Sequence, residues 1–386
     1  MKIHELKVRE NYDNALTSTL DAILQHLAPG AVILDQCAKE GTQQWYLHTL
    51  LSVYVTQGFC PKGRQFLHTL YANTPHSRRA ILQKTALAFL TSSLAFRTAL
   101  RPAFCLSTPI PNAAHLMIMP GNQRFRTFDF LHDTILVTPK HNFSAQGIQN
   151  EIQLRQRLSP SLPFIPPCQS LPNDAFQEPL LNAFPLNRLD KTAQHKAEAN
   201  AFQCLQKLHQ IDNASLPSAD YLSHKRAQFE AAKTLLRQKF GGLCLRRLDT
   251  LYDCAEKILL PTQIIQTALT HGDFQPGNIL ARNDNPGPIF IDFEDAAPRA
   301  CAYDYLTWQL RARTPRGLVQ RIQNFTAIPP YFPQNLALPQ SPKILLALWF
   351  IEEWIWLCQS STRDGIQELP LGLQIQFKEL QNITLG

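Results

Sequence analysis

THGDFQPGNIL, residues 270–280, and IFIDFED, residues 289–295, are the stretches on which the reading of this 386-residue chain turns. Two turn signals, QPGN at 275–278 and DNPGP at 284–288, separate the apolar runs NILA and PIFI, the pattern of a β-hairpin. The first stretch carries a carboxylate, Asp273, and five residues later an amide, Asn278. In a loop leading into a strand, that spacing lets Asp273 face an acceptor group while the amide oxygen of Asn278 reaches a metal ion. The second strand ends at Asp292, which emerges at the mouth of the same hairpin. One carboxylate and one amide oxygen form a sparse set of hard donors, which Mg2+ accepts when phosphates and water complete its shell. Phosphoryl transfer asks for little more: a base that orients a hydroxyl, and cations that neutralise the phosphates.

Outward from that hairpin, the composition sets bounds. The chain is long enough for two or three packed units without a disulfide or metal staple, and 45% hydrophobic with 17% charged residues excludes disorder. A net charge of +7 suits an anionic ligand such as a nucleotide and is too weakly patterned for nucleic acid. The basic sets Lys225, Arg226, Lys233, Arg237, Lys239 and Arg311, Arg313, Arg316, Arg321 read as solvated helix faces. The nine cysteines form no CxxC and the twelve histidines no HExxH, so the expectation is free thiols in a reducing cytoplasm and no zinc site. MKIHELKVRENYDNAL lacks an apolar signal core, and the best apolar run, LLALWFIEEWIWLC from Leu345, is broken by Glu352 and Glu353. A cytoplasmic protein with no membrane span is expected.

Texture changes along the chain define its organisation. Residues 1–103 read as helical, in LTSTLDAILQHL, QQWYLHTLLSVYV and SRRAILQKTALAFLTSSLAF. Between Phe104 and Lys140, the runs AHLMIM, RFRTFDF and TILVT, separated by turns, predict three antiparallel strands. SAQGIQNEIQLRQRL then predicts a helix, and FQEPLLNAF near Phe176 a further strand. From Leu189 the pattern is helical to the end, apart from the hairpin.

HGDFQPGNIL followed by IDFED resembles the pattern of the aminoglycoside phosphotransferase and choline kinase-like family, HGDxxxxN followed by ID. The resemblance extends over about residues 104–386 through AYDYLTWQL, with Asp304, and LQKLHQI. It implies an α+β, bilobal protein-kinase-like fold: a small antiparallel-sheet N-lobe over 104–182 and a mainly helical C-lobe over 183–386, preceded by an extra helical region, 1–103. It also implies Asp273 as catalytic base, His271 as support for the loop, and Asn278 and Asp292 as Mg2+ ligands. Lys140 and Glu151 fit the phosphate-contacting lysine and its partner glutamate on the next helix, and Gly121 the phosphate-covering hairpin, which otherwise lacks GxGxxG. ATP or GTP is the expected donor and a small-molecule hydroxyl the acceptor.

Some residues carry a second reading. Glu294 stands where protein kinases show the glycine of DFG, and Glu294 and Asp295 read equally as metal contacts or a solvated loop. His209, Tyr303 and Asp304 read as structural, beneath the metal site. In ALWFIEEWIWLC, helical spacing puts Trp349, Glu352, Glu353 and Trp356 on one stripe, a candidate face for a cationic or sugar-like acceptor, against a core helix with two solvated glutamates. A protein kinase needs an activation segment, for which the six-residue step from Asp292 to Pro298 leaves little room. A kinase-derived interaction module is the other alternative, with residues 1–103 serving as a docking surface for a protein partner or as a lid.

Overall fold

A computed structural model describes residues 6, 11–34, 41–71, 78–189, 191–241, 246–260, 264–282, 287–327 and 341–383. The chain divides into two compact units, Met1–Ala199 with Leu280–Ile291, and Asn200–Ile279 with Asp292–Gly386.

The first unit begins with α1 (Tyr12–Leu27), which buries Tyr12, Ala15, Thr19, Leu20, Ile23 and Leu24 along one stripe. There follow β1 (Ile33–Leu34), β2 (Gln43–His48), β3 (Val53–Val55), α2 (Pro61–Tyr71), α3 (Arg78–Thr91), α4 (Ser93–Thr98) and β4 (Leu100–Leu106). The three expected strands are β5 (Leu116–Pro120), β6 (Arg124–Asp129) and β7 (Thr134–Pro139), antiparallel with Ile118 opposite Thr127 and Phe128 opposite Ile135. Next come α5 (Gln146–Leu158), β8 (Gln169–Ser170), β9 (Phe176–Pro179) and β10 (Ala183–Pro185). Nine strands form one sheet in the order β1-β4-β2-β3-β5-β6-β7-β9-β8.

The amino-terminal hundred residues contain the expected helices and also part of this sheet. QQWYLHTLLSVYV is not a helix but the β2–β3 hairpin, with Tyr46 opposite Val55 and Ser52 in the left-handed region at φ 53°. Its Trp, Tyr and Val residues favour strands, and a three-residue strand is too short for alternation to register. Because β3 joins β5 through Tyr54 and Ile118, the sheet starts well before Phe104, and residue 103 lies inside β4.

Alternation gives the sheet two differently covered faces. On one, Tyr54, Ile118, Phe125 and Leu136 pack with Tyr12, Leu20, Ile23 and Leu24 of α1. On the other, Val53, Met117, Phe128, Ile135 and Val137 pack with Ile148 and Ile152 of α5. Burial of each such side chain is worth roughly 1.5–3 kcal/mol, so both helices are tied to the sheet by their apolar stripes. Free thiols are found at Cys60, Cys168, Cys204, Cys254, Cys301 and Cys358, but Cys105 in β4 is disulfide-bonded, contrary to the expectation for the whole set.

α6 (Lys191–Leu208) runs into the second unit, which continues with β11 (Ala214–Pro217), α7 (Ser218–Lys239), α8 (Arg246–Leu259) and β12 (Ile264–Thr270). β13 (Ile279–Arg282) and β14 (Pro288–Phe290) occupy the apolar runs of the expected hairpin and form a sheet ordered β10-β13-β14. Then come β15 (Ala297–Ala300), α9 (Ala302–Gln309), α10 (Leu318–Ala327), α11 (Pro342–Thr362) and α12 (Leu371–Gln381). β12 lies between β11 and β15, with Leu269 opposite Pro298. The core of this unit surrounds α11, which is buried almost throughout and packs on α7, α8 and α9. No described helix is long and apolar enough to cross a membrane.

Candidate active site

β12 delivers the HGD loop. Gly272 has φ +85°, and a Cβ there would stand 2.0 Å from the carbonyl oxygen of Asp295, so only glycine lets the loop pass this close to the segment after Asp292. The amides of His271 and Gly272 donate to Oδ2 and Oδ1 of Asp304, at 2.7 and 3.0 Å. Asp304 is fully buried in α9, and Nε2 of His209 lies 3.1 Å from its Oδ2. Burial opposes ionisation of Asp304, but the hydrogen bond and charge of His209, with the charge and amide of His271, outweigh it and hold its pKa below the ordinary value. His271 is buried, its ring 4.7 Å from that of Phe293, and the Asp273 amide points at its Nδ1 at 3.4 Å. These residues shape the loop from beneath.

Asp273 stands at the loop's partly exposed edge. Its Oδ1 accepts from Nε of Arg313 at 2.6 Å, and its Oδ2 from Nε2 of Gln275 at 2.8 Å and Nδ2 of Asn278 at 2.7 Å. An ionised carboxylate offers about four acceptor positions, so among the described residues one lone pair, on Oδ1, is left for an incoming hydroxyl. Asn278 also donates to the Asp273 carbonyl at 3.0 Å, which turns its nitrogen toward Asp273 and leaves its amide oxygen as a donor for a cation.

Asp292 occupies the left-handed region at φ 71°, ψ 56°, at the start of a short 3-10 turn, Phe293–Asp295. That conformation is uncommon for a non-glycine residue and follows directly from the turn out of β14. Among the described residues no group of three or more His, Cys, Asp or Glu could hold a metal ion. The side-chain oxygens of Asn278 and Asp292 are hard donors of the kind Mg2+ accepts when phosphates and water complete its shell. Glu294 and Asp295 are not a merely solvated loop: Arg363 pairs with both, at 3.5 Å to Glu294 and closely to Asp295.

Arg313, read from the sequence as part of a solvated face, is the residue that reading missed. Beyond Asp273, it donates to Glu353, to the Gly272 carbonyl at 3.3 Å and to the Tyr303 hydroxyl at 3.0 Å. Its guanidinium lies 3.6 Å from the ring centroid of Trp356. Burial works against its charge, but Glu353, Tyr303 and Asp273 overcome that and raise its pKa well above the usual value. Arg321 donates to the carbonyls of Leu310, Arg311, Thr314 and Arg316, which fixes the loop that presents Arg313. Only the pairing of Arg313 with distant carboxylates distinguishes it from neighbouring arginines, and no local spacing encodes that.

The stripe expected to face an acceptor points into the core of the second unit. Glu352, 2% exposed, accepts from Tyr221 Oη at 2.8 Å, Lys225 Nζ at 2.8 Å and the Ala300 amide at 3.2 Å. Glu353 accepts from Arg313, Gln376 and Tyr303, the last at 2.8 Å, and Trp349 donates to Thr307 at 3.3 Å. Trp356 lies beneath Arg313. Helical spacing placed the four residues together, but buried Lys225 and Arg313, supplied by other segments, turn both carboxylates inward.

In the first unit, Gly121 sits in the β5–β6 turn, where its amide donates to the Arg124 carbonyl at 2.9 Å and a Cβ would stand 2.7 Å from that oxygen. Lys140 and Glu151 are not the expected pair. Lys140 follows β7 on the α1 face: its Nζ lies 5.5 Å from the Tyr12 ring centroid and donates to the Gly121 carbonyl at 3.1 Å. Glu151 belongs to the α5 face, where its carboxylate accepts from Arg124 at 2.6 Å and Arg155 at 3.1 Å. The sign of the strand alternation, not the sequence interval, decides which groups meet.

No curated protein matches the chain. Among solved structures it is similar to a choline kinase of Streptococcus pneumoniae at 12% identity, with a TM-score of 0.46 over 67% of this chain and 90% of that one. An ethanolamine kinase of Plasmodium vivax shows 11% identity and a TM-score of 0.46 over 83% and 92%. An ADP-bound aminoglycoside phosphotransferase shows 15% and 0.44 over 69% and 91%. At such TM-scores these likenesses carry no argument about substrate. The sequence profile of a phosphotransferase enzyme family matches residues 116–327, more than half of the chain. That span takes in the three central strands, the HGD loop, the hairpin and the Asp304 brace, and the fold is kinase-like: the chain belongs to the phosphotransferase enzyme family.

Proposed function

We propose that the chain transfers the γ-phosphoryl group of ATP or GTP to a hydroxyl of a small molecule such as an amino sugar or amino alcohol. The observation that carries this reading is the geometry of Asp273, held by Arg313, Gln275 and Asn278 with one carboxylate lone pair left open. In the proposed mechanism, Oδ1 of Asp273 accepts the hydrogen bond of the acceptor hydroxyl and orients its oxygen. As the new oxygen–phosphorus bond forms and the bond to the leaving diphosphate breaks, the hydroxyl proton passes to Asp273. Asn278 and Asp292 are the residues that would hold Mg2+, whose charge offsets that of the phosphates when it is bound. Asp304 and Gly272 keep the loop in place and do not touch the acceptor.

The test is a panel of amino sugars, amino alcohols and other hydroxylated metabolites assayed for acceptor-dependent ADP or GDP release, beside titrations of both nucleotides with and without Mg2+. Release with one acceptor class and Mg2+-dependent nucleotide binding are expected. A protein that binds neither nucleotide at any Mg2+ concentration is instead a kinase-derived interaction module.

A further inference from the structure

The first unit carries an ion-pair arrangement that its sequence does not announce. Along β6, Phe125 packs on the α1 face and Phe128 on the α5 face, so Arg124 and Arg126 share the face of Phe128. Along β7, Ile135 and Val137 face α5 and Leu136 faces α1. Lys140, just beyond the strand, is on the α1 side, 5.8 Å from the Phe125 ring centroid and 5.2 Å from that of Phe143. The cation that meets the helix glutamate therefore comes from β6: Arg124 Nη1 donates to Oε2 of Glu151 at 2.6 Å.

We propose that Arg124, not Lys140, is the cation through which this unit binds nucleotide phosphates, with Glu151 as its positioning partner; the proposal rests on the phosphotransferase reading above. Arg155 anchors the arrangement. It donates to the carbonyls of Pro166 and Pro167 at 2.9 and 3.1 Å and to Glu178 at 2.6 Å, so its bond to Oε1 of Glu151 fixes that carboxylate from a rigid base. Glu151 in turn orients Arg124. A guanidinium presents five donors in a fixed fork, so one side holds Glu151 while another meets a phosphate oxygen. Arg124 also closes the turn that would cover the phosphates, since its carbonyl accepts from the Gly121 amide at 2.9 Å. Lys140 braces the same turn from the opposite side through the Gly121 carbonyl.

Calorimetric titration of the full chain with ATP, GTP, adenosine and guanosine in Mg2+ tests this. Arg124→Met is expected to weaken binding of the preferred triphosphate about tenfold or more, the worth of a charge-assisted contact, while its nucleoside binds within about twofold of wild type. Retained nucleoside binding shows that the variant is folded, as expected because Arg155 still neutralises Glu151. Arg124→Lys is expected to recover part of the loss. Lys140→Met should affect triphosphate and nucleoside alike. Triphosphate binding unchanged in Arg124→Met, or a loss confined to triphosphate in Lys140→Met, overturns the assignment with the phosphotransferase reading intact. Wild-type protein that binds neither triphosphate overturns both.

Discussion

Arg313 donates from Nε to Oδ1 of Asp273 at 2.6 Å and, from the same guanidinium, to Glu353. The carboxylate proposed as base is thereby coupled to α11, and through Gln376 to α12. A planar fork suits this bridge, because it satisfies two carboxylates, a carbonyl and a hydroxyl at once while stacking on Trp356.

Arg313→Ala is expected to destabilise the protein by roughly 3–5 kcal/mol, because it leaves Glu353 buried without its countercharge. Arg313→Lys keeps the charge, but a single ammonium cannot reproduce the fork. It should lower turnover while Mg2+-nucleotide affinity stays near wild type, since Asp273 acts on the acceptor. Denaturant unfolding gives the first quantity, and nucleotide titration beside turnover the second. Unchanged turnover in Arg313→Lys excludes a positioning role.

Glu352 and Glu353, neighbours on one helix, should fail differently. Glu352→Gln leaves Lys225 buried beside a neutral amide and is expected to cost about 3–5 kcal/mol with no change in acceptor KM. Glu353→Gln loosens Arg313 and should lower kcat as well. Stability curves and steady-state constants separate the two. A raised acceptor KM in Glu352→Gln would restore the acceptor-facing role expected from the sequence.

Gly272→Ala tests how tightly the loop is drawn. The added methyl would meet the Asp295 carbonyl at a separation no packed Cβ tolerates, at a φ that L-residues rarely adopt. The loop must shift, and the misplacement should cost more than about 10² in turnover even where circular dichroism reports a folded protein. Near-normal activity in Gly272→Ala would mean that the loop adapts.

The paired motif singled out Asp273, Asn278 and Asp292 as candidates, because each lies at a fixed interval from a recognisable turn, and the family resemblance pointed to the Asp304 helix. β5, β6 and β7 were legible as short β-like runs between turns, and α1, α5 and α7 by their helical period. β2 and β3 were not, since short strands rich in Trp, Tyr and Val share apolar spacing with helices. Arg124 and Arg313 escaped notice for a different reason. Their partners, Glu151 and Glu353, are set by strand facing and loop path, which single-sequence intervals do not contain. Lys140 shows the converse: an interval that fits a pair, and a sheet that places the two residues on opposite faces.

Asp304 predicts a pH dependence. Its folded pKa is depressed, so it contributes stability that is fully present above the unfolded carboxyl value, about 3.9, and lost as pH falls through the folded pKa. Asp304→Asn removes that contribution and leaves the His271 and Gly272 amides facing a poorer acceptor, at a cost of at least about 1–3 kcal/mol near neutrality. Urea unfolding of both proteins should show the gap between them narrowing as pH drops below about 4. A gap constant from pH 7 to pH 3 would mean that the Asp304 charge adds nothing to the brace.

The proposed chemistry makes its sharpest demand on Asp273 and Asp292, which act on opposite sides of the transfer. Asp273→Asn keeps the size of the side chain but removes the carboxylate that orients and deprotonates the acceptor, so turnover should fall by roughly 10² to 10⁴, the usual worth of a positioned base. Nucleotide binding with Mg2+ should hold, because Asn278 still presents its amide oxygen. Asp292→Asn instead removes the anionic member of the proposed metal set, and should weaken nucleotide binding in Mg2+ along with turnover, while binding measured without the metal changes little. Titrations at several Mg2+ concentrations, followed by single-turnover measurements with an identified acceptor, resolve the two patterns. Full turnover in Asp273→Asn would remove Asp273 as the base, and Mg2+-dependent binding undiminished in Asp292→Asn would remove that residue from the metal site; either result leaves the loop geometry and the family membership standing.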